Sequence, residues 1–240
     1  MDKQYKSLEN LCKTNDIEVI RLLDSGIIPS LQCLLYACKV DSNSTNIIKL
    51  IEKGILPNKR CLLCCCNRKN NANGIIKIIR SGVKPSYDCL NCSKIYTNDN
   101  YDAFVEICSY LSLSYIELKY ACAIFESNKS VYYMIHVLGV KPDGKCIKTL
   151  CKYNNEDYKT LKVLLDSNVK IKYSHIQIIC QSYRKKYCMD TIYLSIYYYI
   201  KQHSRVLKQK KNKIELKVED IYSFIKLLYD NNIELDKLIV

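Results

Sequence analysis

Apolar residues recur along the chain as doublets separated by a single position. Val19-Ile20 and Leu22-Leu23, Ile47-Ile48 and Leu50-Ile51, and Ile75-Ile76 and Ile78-Ile79 all follow this rule. Recurrence at i, i+3 and i+4 places apolar side chains on one stripe of a helix. Each such segment therefore predicts a short amphipathic helix, helix B. A second apolar pattern precedes it, typified by Leu34-Leu35-x-Ala37-Cys38, and predicts a companion helix A. The polar stretch from Asp41 to Thr45 reads as the turn between them, with helix B running from Asn46 to Lys53.

A fixed ruler runs through these pairs. Each proline stands three residues after a glycine: Gly26 and Pro29, Gly54 and Pro57, Gly82 and Pro85, Gly139 and Pro142. The first three glycines are 28 residues apart, and the step from Gly82 to Gly139 is two repeats plus one residue, so a copy without glycine falls near Tyr110. Glycine after the last apolar residue suits a left-handed helix end, and proline stops one helix and starts the next. The cysteines keep the same register. Cys33, Cys61, Cys89 and Cys146 lie seven residues after their glycines, and Cys38, Cys66 and Cys151 lie twelve after. Cys122 and Cys180 take that second place after Tyr110 and Asn168, which stand where glycines are expected. Two short helices cannot bury an apolar face alone, but a stack of such pairs can. The expected architecture is all-α: a right-handed-type solenoid of about seven antiparallel helix pairs over residues 1–200.

The C-terminal part breaks the pattern. A Tyr-rich helix is predicted from Thr191 to Ile200, with Tyr193 and Tyr197 on one face and Tyr198 and Tyr199 turning away from it. Residues 201–217 hold seven Lys/Arg and one Glu, and read as a basic linker or insertion. Ile221, Phe224, Ile225 and Leu228 then mark a capping helix within residues 218–240.

Leu-x-x-Ala-Cys in helix A, paired isoleucines in helix B, and Gly-x-x-Pro-Asn after it resemble the ankyrin repeat. The copy from Leu34 to Asn58 carries the likeness best. The period of 28–29 falls short of the family's usual length, and the missing residues lie between the glycine and helix A. The β-hairpin finger and the Thr-Pro-Leu-His signature of the family would sit there, and both are absent. The resemblance implies a fingerless stack that binds partners through helix A and the turns. Ile, Lys, Asn and Tyr are abundant and Trp is missing, a composition of AT-rich genomes. The combination is similar to divergent ankyrin-like proteins of large DNA viruses. Pentatricopeptide repeats also end in Gly-Val-Lys-Pro-Asp, but the 16 residues from Cys38 to Gly54 are too few for their second helix.

Charge changes the functional picture most. The formal net charge is +13. Outside the basic insertion, with Lys208, Lys210, Lys211 and Lys213 at its centre, positive pairs occur at Lys59-Arg60 and Arg68-Lys69. A third cluster is Arg184-Lys185-Lys186. Such clusters attract nucleic acid or acidic protein surfaces. The insertion lacks interleaved aromatics for base stacking, which favours a solvated segment over a strand-binding one.

The 15 cysteines accompany a polar N-terminus with no apolar signal segment, so free thiols in a reducing intracellular compartment are expected, the host cytoplasm if the protein is viral. Cys61-x-x-Cys64 and Cys89-x-x-Cys92 have the spacing of a zinc site. The repeat explains Cys61 and Cys89 as one structural position, and helices about 8–10 Å apart are wide for a tetrahedral site. The expectation is therefore no metal and no cofactor, with zinc on these four as the alternative. His136 lies on a helix B stripe, and His175 and His203 stand beside no nucleophile pattern. No phosphate-loop, dinucleotide, zinc-protease or nucleophile-elbow motif occurs. No run is long enough to span a membrane as an apolar helix. The sequence thus predicts a non-enzymatic protein–protein interaction scaffold, engaging host or virion proteins if viral. Nucleic-acid binding through the basic surfaces is the alternative.

Overall fold

A computed structural model describes residues 8–12, 18–40, 44–153, 157–172, 174–176, 178, 191–192, 194–199 and 202. Among them every regular element is helical, and no helix is long and apolar enough to cross a membrane. The chain divides into two compact units, Met1–Leu113 and Ser114–Val240.

The first unit begins with α1, described over residues 8–12, and α2 (Glu18–Asp24). It continues with α3 (Leu31–Val40) and α4 (Thr45–Glu52), then α5 (Lys59–Cys66) and α6 (Ala72–Arg80). It closes with α7 (Tyr87–Leu90), two 3₁₀ turns at Ser93–Tyr96 and Asn98–Asn100, and α8 (Tyr101–Cys108). Within a repeat, α3 packs on α4 and α5 on α6. Between repeats, like packs on like: α3 on α5 and α5 on α7, α2 on α4, α4 on α6 and α6 on α8. The second unit repeats this with α9 (Tyr115–Ala121), α10 (Asn128–His136), α11 (Gly144–Tyr153) and α12 (Tyr158–Asp166). There α9 meets α10 and α11, and α12 meets α10 and α11.

The apolar doublets divide as helical geometry requires. In α4, Ile47 and Leu50 are fully buried while Ile48 and Ile51 are half-exposed. In α6, Ile75, Ile78 and Ile79 face the interior. At the helix ends Gly26, Gly54, Gly82 and Gly139 have φ of 91°, 94°, 99° and 72°. Asn168 takes the same role with φ 62°, the one common non-glycine choice for a left-handed cap. The Ile55 amide reaches back to the Leu50 carbonyl at 3.3 Å, and the Val169 amide to Leu164 at 3.4 Å, closing the orphaned carbonyls.

The fourth copy departs from the expected helix pair. Its helix A stops at Leu90, and Tyr110, in the glycine position, is not left-handed. Lys94 occupies the place where other copies bury a cysteine. A charged side chain cannot be left there unpaired, so the backbone turns extended at Cys92 (ψ 110°). Ile95 and Tyr96 fill the space instead, with the Tyr96 ring 5.4 Å from Phe104.

A second periodic feature lies at the start of helix B. Ser44, Asn71, Asn100, Ser127 and Asp157 occupy this turn, and all are buried. Ser44 Oγ donates to Asn71 Oδ1 at 2.6 Å, and the Asn71 amide donates to Asn100 Oδ1 at 2.9 Å. Asn100 Nδ2 donates to the Arg68 carbonyl at 2.6 Å. Buried polar turns thus bond to one another between successive copies in the first unit, with Asn71 Nδ2 left without a partner. Gly74 sits against this ladder: a Cβ there would lie 2.8 Å from Asn71 Oδ1 and 3.0 Å from Ser44 Oγ.

Residues 218–240 and, apart from Gln202, the basic segment 201–217 lie outside the described residues. Gln202 is helical and ties the loop after α12, accepting from the Ile171 amide at 3.0 Å and donating to the Val169 carbonyl at 3.1 Å.

Candidate functional site

Helix A of each copy starts at a polar residue four places after the glycine position. Ser30, Asn58, Ser86, Ser114 and Asp143 hold this place. Asn58 Oδ1 accepts the Cys61 amide at 3.1 Å, and Asp143 Oδ1 accepts the Lys145 amide at 2.8 Å. At Ser114 a full capping box forms, with Glu117 Oε2 accepting the Ser114 amide at 2.8 Å. Tyr115 OH donates to Asp143 Oδ1 at 2.6 Å, fixing α9 to the start of α11. Burial opposes ionisation of Asp143, but this bond and the Lys145 and Cys146 amides outweigh it and hold the carboxyl below its usual range.

This anchoring aligns the outer faces of α9 and α11, which line an open groove of ≈ 720 Å³. From α9 and the turn after it come Ile116, Lys119, Tyr120 and Ala123. From α11 come Lys145, Lys148, Thr149, Lys152 and Tyr153. Spacing at i, i+3, i+4 and i+7 explains why these side chains share a face. Ile116 is 74% exposed and Tyr153 63%, and Lys152 Nζ lies 4.8 Å from the Tyr153 ring centroid. Four lysines and no carboxylate line the groove, so its field is positive.

The basic pairs expected from sequence do not form one patch. Lys59 and Arg60 open α5, while Arg68 and Lys69 follow its C-terminal end, about 12 Å away along a helix of that length. Lys59 Nζ is paired with Asp88 Oδ2 at 2.7 Å, which removes much of its reach toward a ligand. Arg184, Lys185, Lys186, Lys208, Lys210, Lys211 and Lys213 lie outside the described residues, as do Cys180, Tyr193 and His203. Among the expected tyrosines, Tyr197 is exposed, while Tyr198 donates a hydrogen bond to Asp166. Groove residues lie six, nine, ten, thirteen and, for Tyr153, fourteen places after the glycine position, so they obey the same ruler as the cysteines. Their lysines are dispersed in sequence and form no run, which hid them.

Of the register cysteines, Cys38, Cys66, Cys122 and Cys151 are buried, each at most 1% exposed. Among the described residues, no three His, Cys, Asp or Glu side chains gather as a metal site. No such group forms at Cys61, Cys64, Cys89 and Cys92. Cys61 bonds to Cys38 and Cys89 to Cys66, each across a repeat boundary. The His136 ring packs tilted by 37° against Tyr132 at 4.4 Å, and its Nε2 lies 3.3 Å from Ser167 Oγ, a structural setting. His175 is buried, and its Nδ1 accepts the Lys172 amide at 3.2 Å.

No family model matches the chain, and no curated protein matches it.

Proposed function

We propose that the protein is a non-enzymatic binding scaffold, with helix pairs stacked as a fingerless ankyrin-like solenoid. In this reading the α9–α11 groove receives an acidic segment of a protein partner. The observation that carries the reading is the groove itself: four lysines and two tyrosines around an exposed isoleucine, with no acidic side chain in the lining. Lysines supply attraction and orientation, while Ile116, Tyr120 and Tyr153 supply apolar area for partner side chains. Because capped helices carry the surface, little ordering is needed on binding. The groove is of the size that takes a few residues rather than a long track. The resemblance to ankyrin-like proteins of large DNA viruses makes host and virion proteins the first class of partner to screen.

Single-stranded nucleic acid is the second reading, favoured by the alternation of Tyr120 and Tyr153 with lysines, since bases stack on such rings. Fluorescence anisotropy of the full chain separates the two, using a labelled Glu- and Phe-containing peptide and a labelled oligothymidine, each at 50 and 200 mM salt. The scaffold reading expects the peptide to bind more tightly, with a loss of roughly tenfold or more in Lys148→Glu/Lys152→Glu. Tighter oligonucleotide binding that falls about 50-fold over that salt range, as about four phosphate contacts to a single strand require, would replace it with the nucleic-acid reading.

A further inference from the structure

The two walls of the α9–α11 groove are one repeat apart. Ile116, Lys119, Tyr120 and Ala123 form the first wall, and a step of 29 residues from each reaches the second. That second wall is Lys145, Lys148, Thr149 and Lys152, with Tyr153 at its end. The two helices run side by side in one direction. Tyr115 at the start of α9 is bonded to Asp143 just before α11, and residues near both C-terminal ends share the groove. Corresponding residues therefore stand level with each other, Ile116 with Lys145 and Lys119 with Lys148.

The walls differ in chemistry. The α11 wall carries its lysines at i, i+3 and i+7, one row about 10.5 Å long. The α9 wall is mainly apolar: Ile116 and Tyr120 lie one turn apart, 74% and 40% exposed, and Lys119 is its one charge. Among the described residues, no carboxylate is ion-paired with any of these four lysines. Asp143 precedes the α11 wall, but the Tyr115 hydroxyl and the Lys145 and Cys146 amides hold its Oδ1. A complementary ligand must therefore be acidic along one flank and apolar along the adjoining flank, over about two helical turns.

We propose that the occupant of this groove is an acidic amphipathic helix of a partner protein, laid along the groove. The inference rests on the reading of the groove as a site for an acidic protein segment. Spacing separates a helix from an extended chain. Carboxylates at i, i+3 and i+7 of a helix repeat the spacing of Lys145, Lys148 and Lys152, so three pairs form within about 10.5 Å. An extended chain sets successive side chains of one side about 6.7 Å apart, and so offers only two carboxylates over that length. Its remaining side chains point to the opposite side. A helix instead carries an apolar stripe at i+1, i+5 and i+8, roughly 100° round from the acidic row. That stripe meets Ile116 and Tyr120 while the acidic row meets α11. The side on which the stripe lies then fixes which way the helix points along the groove.

The test is fluorescence anisotropy of the full chain with three labelled peptides of about 16 residues on an alanine background, which favours helix. The first places Glu at i, i+3 and i+7 and Leu at i+1, i+5 and i+8. The second holds the same residues with Glu and Leu alternating. The third is the first with proline at i+4, which breaks a helix. The first peptide should bind about tenfold or more tightly than either of the others. Lys148→Glu/Lys152→Glu should weaken it roughly tenfold or more, and Ile116→Ser, on the other wall, by about 3–10-fold. Thermal melts establish that each variant is folded; if one is not, the other decides. Equal or tighter binding of the alternating or the proline peptide would overturn the helix and leave the acidic-segment reading standing. Binding of the first peptide that neither folded variant weakens would overturn the site. If none of the three binds, the inference falls together with the reading beneath it.

Discussion

The backbone at Gly82 has φ 99°, and a Cβ added there would meet nothing within 4 Å. Its constraint is therefore conformational and not steric crowding. Left-handed geometry costs an ordinary residue about 1–2 kcal/mol, and asparagine is the residue that Asn168 shows at the equivalent place. Urea unfolding should find Gly82→Ala destabilised by about that amount and Gly82→Asn by clearly less. Gly74 reverses the logic. It is helical, where alanine is ordinarily preferred by about 1 kcal/mol. Because its Cβ would press on Asn71 and Ser44, Gly74→Ala should instead lose roughly 1–3 kcal/mol in the same assay. His175 gives a pH signature. Burial, then the charges of Lys172 and Lys148, lower its pKa in the fold, so the native state favours neutral imidazole. The unfolded chain takes up its proton first as pH falls through about 6.5, so this contribution is complete above that value and is lost below it. Stability measured by urea from pH 7.5 to 5 should decline more steeply in the wild type than in His175→Asn, which keeps an acceptor for the Lys172 amide.

Among the elements, α9 shows how local chemistry sets a helix start. Glu117 stands at the third helical position, which the other copies give to Cys33, Cys61, Cys89 and Cys146. In α9 it completes the reciprocal cap with Ser114. Ser114→Ala should cost about 1 kcal/mol by thermal or urea unfolding, more than an alanine at the neighbouring exposed Ser112. The helix pairs, the glycine ends and the buried cysteine positions were all legible in the sequence, because each obeys one short period. The broken helix A after Leu90 was less so. Its cause, Lys94 in a core position, is visible only once the register is applied to a copy that lacks the pattern. The polar ladder from Ser44 to Asn100 was also missed, since an isolated asparagine in a polar turn looks like ordinary turn chemistry.

For the whole molecule, the net charge of +13 acts through shielding and attraction more than through individual pairs. The ion pairs between neighbouring B helices, Lys53–Asp24 at 3.3 Å, Arg80–Glu106 at 3.5 Å and Lys77–Glu52 at 3.7 Å, are at or near the surface. Exposed pairs of this kind contribute about 0–1 kcal/mol each. Raising salt from 0.05 to 0.5 M weakens them while relieving repulsion among excess lysines. The melting midpoint should therefore move by no more than about 3 °C, whereas ligand affinity of the basic groove should fall markedly over the same range. Calorimetry and anisotropy on one preparation check both halves of that expectation.

By itself the sequence determined the all-helical class and the glycines that turn the corners at Gly26, Gly54, Gly82 and Gly139. Those properties depend on neighbours within a few residues, and a repeating chain states them several times over. The tertiary structure decided which surface residues meet. Lys119 on α9 joins Lys145, Lys148 and Lys152 on α11 only because the helices pack side by side. Cys66 on α5 meets Cys89 on α7 for the same reason. Contacts between copies depend on how one helix pair lies on the next, and that geometry is set by packed volume and shared hydrogen bonds rather than by spacing along the chain.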